Sequence, residues 1–329
     1  MADIYGITIG DSSGVGPEIL LKAWANGEIH HPVVIYGDTA ALDHYNRALG
    51  YGVEIRSVIT PAEHAPGVLN VIDHRLLTPD DIRPGELSAA SGAAARAYVV
   101  SATHAALAGE IAAMVTLPMN KEATQLTDPV FTGHTELIGE LCGSDDVTIM
   151  LASDQLIVTH VSTHMSLQNA IHAAKKERIQ TILRLTWEAV SRLMPNPRIA
   201  VAGLNPHAGE SGLFGLEEIQ EIRPAVEWAQ AHGMPVDGPF PPDTVFYMAV
   251  RKKKFDVIVC MYHDQGHVPL KLLDFENGVN VALGLPIIRT SVDHGTAFDI
   301  AGKGIASTVS LIRALEFAVK LRSVGASIR

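Results

Sequence analysis

The chain has 329 residues, 47% of them hydrophobic and 19% charged, with 36 acidic residues against 25 basic ones and a net charge of -11. That balance excludes extended disorder, and it argues against nucleic acid or an anionic membrane as the main partner because both are polyanions. A single hydrophobic core stops growing at roughly 250–300 residues, so two lobes with a cleft are expected.

Short β-branched runs alternate with helical patterns, the rhythm of an α/β protein. A strand over 4–9 leads into the glycine-rich stretch 10–18, where Pro17 suits the first turn of a helix. A second strand spans 33–36, and a long alanine-rich helix over 86–109 ends at glycine before a strand over 111–117. Residues 133–136 (GHTE) open a helix, and strands follow over 147–151 and 156–161, the second running into Ser162, Thr163 and His164. A strand over 199–204 runs into Asn205, Pro206 and His207. Asp243 precedes a helix beginning near Thr244, which the basic run Arg251, Lys252, Lys253 and Lys254 closes on the side that the helix dipole favours. A last clear strand over 257–261 runs into Tyr262, His263 and Asp264. Strands apolar on successive residues, as over 199–202 and 257–260, imply a parallel sheet covered by helices on both faces. Lobe crossings are expected near 125 and 275, giving a discontinuous first lobe of 1–125 plus 276–329 and a second lobe of 126–275. The two cysteines, Cys142 and Cys260, make no CxxC pattern, and neither a basic leader nor a membrane-length apolar run is visible, so a reduced, cytoplasmic chain is expected.

Ligands of open parallel sheets lie outside the carboxyl ends of the strands, and three strand exits here each deliver a histidine: His164, His207 and His263. One such histidine is ordinarily a hydrogen-bonded structural residue. Three in equivalent positions point to a divalent metal (Zn, Co or Mg) with a coordination position open to substrate, although their spacing matches no local zinc signature. Such a metal suits a substrate with a hydroxyl beside a carbonyl or carboxylate oxygen. Asp243 reads either as a proton acceptor or as the N-cap of the helix that follows, and Asp264 and Lys271 are further candidates for the base. His134 and Thr135 at a helix start, with Lys271, Asn280 and Arg289, suit an anion such as phosphate. Lys271 and Arg289 read also as ion-pair partners, against which their apolar flanks argue. The segment 10–18 is similar to a phosphate loop but lacks the Walker lysine and the GxGxxG spacing; close backbone approach is the alternative use of its glycines. The residues leave open a dehydrogenase, a metal-dependent phosphohydrolase and a non-catalytic metal- or metabolite-binding protein.

The motifs GDSSGVGPEI (10–19), LPMNK (117–121), GHTE (133–136), NPHAGE (205–210), DTVF (243–246), YHDQGH (262–267) and GLPIIRTSVDHGTAFDIAGKG (284–304), in this order, resemble the 4-hydroxythreonine-4-phosphate dehydrogenase family of pyridoxine biosynthesis over nearly the whole chain. The resemblance implies a homodimer of two-lobed α/β/α subunits, similar in fold to isocitrate and isopropylmalate dehydrogenases, with a shared active site. It places His164, His207 and His263 on metal-ligand positions, one supplied by the other subunit, and His134, Thr135, Lys271, Asn280 and Arg289 on substrate positions. His294, Gly295, Thr296 and Asp299 look like an adenosine-binding loop for NAD or NADP, with Gly10 and Asp11 beside it, and Asp243 and Lys271 stand as catalytic candidates. The implied reaction is hydride transfer from the alcohol to NAD(P)+ followed by loss of carbon dioxide, the metal serving both steps. Two departures bear on the substrate. DSSGV replaces the usual DPAGI, and PPDTVF with QGHVPLKLL resembles a paralogous branch acting on D-threonate or D-erythronate 4-phosphate, with His267 part of that difference.

Overall fold

The β-branched runs form strands where the sequence places them, in a computed structural model that describes residues 3–325. In chain order the elements are β1 (Tyr5–Thr8), α1 (Gly16–Ala25), β2 (Val33–Gly37), α2 (Thr39–Leu49), β3 (Ile55–Val58), β4 (Leu69–Asp73), α3 (Ala89–Leu107), β5 (Ala113–Thr116), α4 (Lys121–Gln125) and α5 (His134–Cys142). There follow β6 (Thr148–Ala152), β7 (Ile157–His160), α6 (Leu167–Ala173), α7 (Lys176–Leu193), β8 (Ile199–Ala202), α8 (Arg223–Ala231), β9 (Val236–Phe240), α9 (Pro242–Val250), β10 (Val257–Cys260), α10 (His263–Leu273) and β11 (Val279–Leu283). The chain ends with β12 (Arg289–Val292) and α11 (Val309–Gly325).

Two compact units result, one from the residues up to 145 with 285–323, the other from 146–284. The crossings fall later than the expected 125 and 275 for a packing reason: α4 and α5 pack on α3 and stay with the first unit, while β11 pairs with β6 and stays with the second. In the first unit the strand order is β3-β4-β2-β1-β5-β12, every pair parallel. In the second it is β11-β6-β7-β10-β8-β9, and this sheet is mixed, because β6 runs antiparallel to both neighbours.

Period-2 alternation explains why β8 and β10 read as unbroken apolar runs. Ala200, Ala202, Ile258 and Cys260 pack against Val245 and Ala249 of α9 and Leu270 of α10 in one cluster. On the opposite face Thr159 of β7 meets Thr186 of α7 across a 2.8 Å hydrogen bond, so helices cover both faces. β9, with its Gly238-Pro239 pair, lies at the sheet edge, where a missing N–H is tolerated. Asp243 does not cap α9: Pro241 is the N-cap, and Asp243 sits exposed in the first turn, where its charge complements the dipole. Among the described residues no helix is long and apolar enough to cross a membrane.

What positions the site is the contiguous parallel trio β7-β10-β8, with Cys260 opposite His160 and Val259 opposite Val201. That register brings the three histidine-bearing exits to one edge of the second unit's sheet.

Candidate active site

Two side chains sew these exits together, and a third anchors the loop after β8. Ser162 donates from Oγ to Met261 O at 2.9 Å, joining the β7 and β10 exits. Gln265 accepts from Met261 N and donates to Gly203 O, each at 2.7 Å, joining β10 to β8. Glu218, buried, accepts from Leu204 N and Asn205 N at 2.7 Å and from Asn205 Nδ2 at 2.9 Å. The loop so anchored makes a turn of left-handed helix through His207 (φ 54°), Ala208 (φ 53°), Gly209 (φ 76°), Glu210 (φ 44°) and Ser211 (φ 59°). Each non-glycine residue held there costs about 1–2 kcal/mol, and strain of this kind persists where the surroundings over-determine the backbone. Glu218 is that surrounding, and it holds His207 at the surface.

His263 opens α10 and donates from Nδ1 to Asp264 Oδ1 at 2.6 Å, which turns its Nε2 into a bare acceptor. His164 lies beside it, ring centroids 5.7 Å apart, and both line a cavity of about 580 Å³ with Thr163, Ser166, Tyr262 and Asp264. Two more histidines stand behind. His267 stacks on His263 at 3.7 Å and is itself 4.6 Å from the ring of His160. Burial first, then the neighbouring histidine His267, pushes His160 down to about 3; burial and His263 push His267 down to about 4. His207 instead neighbours Phe214, and among the described residues no three His, Cys, Asp or Glu side chains gather into a group that could hold a metal. The chain therefore brings His164 and His263 together, and does not bring His207 to them.

In the first unit, β12 and β5 build a cationic cradle. Arg289 is only 3% exposed, and it donates from Nε and a terminal nitrogen to Thr116 Oγ1 at 3.2 and 2.7 Å. Burial draws its pKa down to about 10, with the negative charge of Glu136 opposing the shift, so it remains a cation at neutral pH. His134, at the start of α5, is pushed down to about 3 by burial and then by the charges of Arg289 and Lys121; its buried Nε2 has no hydrogen-bond partner among the described residues. The α5 N-cap is Gly133, without a side-chain cap, so the helix offers free N–H groups next to Thr135. Buried positive charge, an open helix N-terminus and an unpaired imidazole nitrogen together suit a phosphate.

The glycines of 10–16 serve the chain itself. A Cβ on Gly10 (φ 72°) would stand 2.3 Å from Pro118 O, and one on Gly16 would stand 2.1 Å from Ile9 O, so the room they leave is filled by backbone. Asp11 is fully buried, its Oδ1 accepting from Ser13 N at 2.9 Å and from the Ser91 hydroxyl, and burial raises its pKa. Val15 N donates to Thr296 O at 3.0 Å, and Glu18 accepts from Gly302 N and Ala306 N, which docks the stretch carrying His294, Gly295, Thr296 and Asp299 on α1. Gly10 and Asp11 make their own contacts elsewhere, with Pro118, Ser13 and Ser91, while Gly295 and Asp299 are exposed.

Of the other expected residues, Asn280 lies on β11 with Oδ1 buried and unpaired among the described residues, and Lys271 closes the face of α10 that carries His263 and His267, its ammonium 5.4 Å from the Phe275 ring. Asp243 makes no hydrogen bond or ion pair to the histidines among the described residues. Sequence reasoning passed over Thr116, Gln265, Glu218 and His160; only Gln265 left a signal, standing inside YHDQGH.

A two-unit α/β protein with ligand-facing groups at strand ends matches known dehydrogenases. The sequence profile of the pyridoxal phosphate biosynthetic protein PdxA family matches residues 28–318, and the chain belongs to that family. It is 44% identical to the D-threonate 4-phosphate dehydrogenase of Pectobacterium atrosepticum, over 98% of this chain and 100% of that one. It is 45% identical to the 4-hydroxythreonine-4-phosphate dehydrogenase of Beijerinckia indica, over 96% and 94%. The crystal structure of 4-hydroxythreonine-4-phosphate dehydrogenase from Klebsiella pneumoniae superposes with a TM-score of 0.88 at 43% identity, covering 98% of this chain and 100% of that one. A β-decarboxylating dehydrogenase from Thermococcus kodakarensis shares the fold at a TM-score of 0.50 and 13% identity, over 99% and 89% of the chains. The expected family and fold are both found.

Proposed function

We propose that the chain is a metal-dependent, NAD(P)-linked dehydrogenase of a four-carbon, 4-phosphorylated hydroxy acid, oxidising the alcohol next to the carboxylate-bearing carbon with loss of carbon dioxide. The observation that carries this reading is Arg289, a buried guanidinium whose hydrogen bonds among the described residues all go to one threonine hydroxyl, with the charge of Glu136 nearby. A buried cation with no carboxylate hydrogen-bonded to it is costly unless a ligand supplies the anion, and the planar fork matches phosphate oxygens. His134, Thr135 and the N-terminus of α5 complete that recognition, and Lys271 and Asn280 are proposed as further substrate contacts.

His263 fits a metal ligand by its tautomer: Asp264 accepts the hydrogen bond from Nδ1–H, leaving the Nε2 lone pair free, the arrangement that usually orients metal-bound imidazoles. His164 is its neighbour, and His207 is proposed to come from the second subunit of a homodimer. The exposed Leu213, Phe214, Leu216 and Ile219 that follow His207 support this, being an apolar surface of the kind a partner covers. A bound divalent metal supplies Lewis acidity toward the hydroxyl, and a bound nicotinamide accepts the hydride. The chain's own part is to hold the phosphate, orient the carbinol carbon and take the hydroxyl proton, for which Asp243 and Lys271 are the proposed acceptors. With a nicotinamide bound, the carbinol carbon would give up its hydride to it; the β-keto acid would then lose carbon dioxide, the electron pair of the broken C–C bond passing to an enolate that takes back the proton held by the acceptor. The stretch 294–299 is proposed to bind the adenosine end of the cofactor.

Two substrates suit this chemistry, 4-phosphohydroxy-L-threonine and D-threonate or D-erythronate 4-phosphate, and relatives named 4-hydroxythreonine-4-phosphate dehydrogenase and D-threonate 4-phosphate dehydrogenase stand at similar identity. NADH formation from each, with and without chelator, tests the proposal. Expected is turnover of at least one that chelator abolishes and added Zn2+ or Co2+ restores. Oxidation indifferent to chelator sinks the metal role, and phosphate release without NADH makes the chain a hydrolase.

A further inference from the structure

We infer that His267, anchored by His160, is a positioning residue that fixes the ring of His263. The inference rests on the reading of His263 as a ligand, and it is argued from a chain of contacts that only one set of tautomers satisfies. His160 ends β7, fully buried, with Nδ1 facing Ile149 O at 3.3 Å, so that nitrogen bears the proton and Nε2 is an acceptor. His267 Nδ1 lies 3.1 Å from that Nε2 and 3.1 Å from His263 O, two acceptors, so His267 Nδ1 is the donor to both. Each proton has one place to be, and the ring of His267 has one orientation.

That ring then lies flat on His263, centroids 3.7 Å apart and planes 10° from parallel, as two residues one helical turn apart on α10 permit. Asp264 holds His263 within its plane through Nδ1, and His267 restrains it from the face. The pair is built into the core at a cost. Two buried imidazoles stand in the interior, with His160 Nε2, Cys260 and Val158 all lying against Gly266, and burying polar rings is unfavourable unless their hydrogen bonds are met. Gly266 keeps the space open, since a Cβ there would come 2.5 Å from His160 Nε2 and 3.0 Å from Cys260 Sγ. An apolar pair would fill this volume without polar cost; what the imidazoles add is a unique orientation.

The test compares His267→Asn, whose amide replaces the Nδ1 donor but removes the stacking ring, with His267→Phe, which keeps a stacking ring and removes the donor. Crystal structures of both metal-free variants report the His263 rotamer without reference to any metal, and titration with Co2+ alone reports the consequence. Expected in His267→Asn is a displaced or split His263 ring and Co2+ affinity weaker by about 10- to 100-fold, the usual loss when a ligand's support is removed. His267→Phe is expected to keep the His263 rotamer. An unmoved His263 in His267→Asn overturns the inference. Should the ring move while the wild-type chain binds no Co2+, the positioning role stands and the metal reading of the site falls.

Discussion

Replacing Arg289 by methionine separates its binding role from a structural one. The guanidinium is 3% exposed and spends two N–H groups on Thr116 Oγ1, leaving its other donors for a ligand. Two charge-assisted hydrogen bonds to a phosphate at about 1.5–3 kcal/mol each amount to about 3–6 kcal/mol, or roughly 10²- to 10⁴-fold in kcat/KM. Stability moves the other way or hardly at all. Thr116 Oγ1 loses its donor at about 1–3 kcal/mol, but a buried cation that no carboxylate hydrogen-bonds is removed, which offsets a similar amount. Steady-state NADH formation on the 4-phosphates measures the first quantity, and thermal melts with and without millimolar inorganic phosphate measure the second. The wild-type melting temperature should rise with phosphate, because a ligand that binds only the native state stabilises it, and Arg289→Met should lose that response while melting near the wild type without phosphate. An unchanged kcat/KM, or equal phosphate stabilisation of both proteins, refutes the assignment of the cradle.

Glu218→Ala leaves three N–H groups of the His207 loop unpaired and should cost on the order of 3 kcal/mol, read as a fall in the urea midpoint with a fall in kcat; an unaltered midpoint would show that the left-handed turn holds itself. Gly266→Ala forces a Cβ against His160 Nε2 and should destabilise by about 1–3 kcal/mol while lowering kcat/KM, and a fully active, equally stable variant contradicts the packing described. The buried histidines also set a pH dependence. His160 and His267 are held by burial at about 3 and about 4, below the unfolded value near 6.5, so the unfolded chain binds protons first as pH falls. Their contribution is present in full above pH ~6.5 and is lost toward pH ~4, with a slope approaching about 1.4 kcal/mol per pH unit for each. Urea midpoints at pH 7 and pH 5 should drop more in the wild type than in His267→Phe; parallel drops argue against a neutral, buried His267.

The strands legible in the sequence are those covered on both faces, because double burial writes unbroken apolar runs such as β8 and β10. β3 and β9 lie at sheet edges and carry exposed or turn-like residues, and β11 and β12 contain Asn280 and Arg289, which read as site chemistry rather than as strand. Antiparallel β6 leaves no mark in composition, since direction is decided by pairing with β7 and β11.

By itself the sequence determines the α/β class, the family, and the placing of three histidines at strand exits, since these depend on local periodicity and on motifs read in order. Tertiary structure alone decides which of those residues meet. Parallel register gathers the exits, and hydrogen bonds between residues far apart in the chain, Arg289 to Thr116 and Gln265 to Gly203, set what each side chain can bind. The same contacts bring His164 to His263, leave His207 apart from them, and place His267 against the ring it holds. Such contacts follow from how strands pair and helices pack, and spacing along the chain does not encode them.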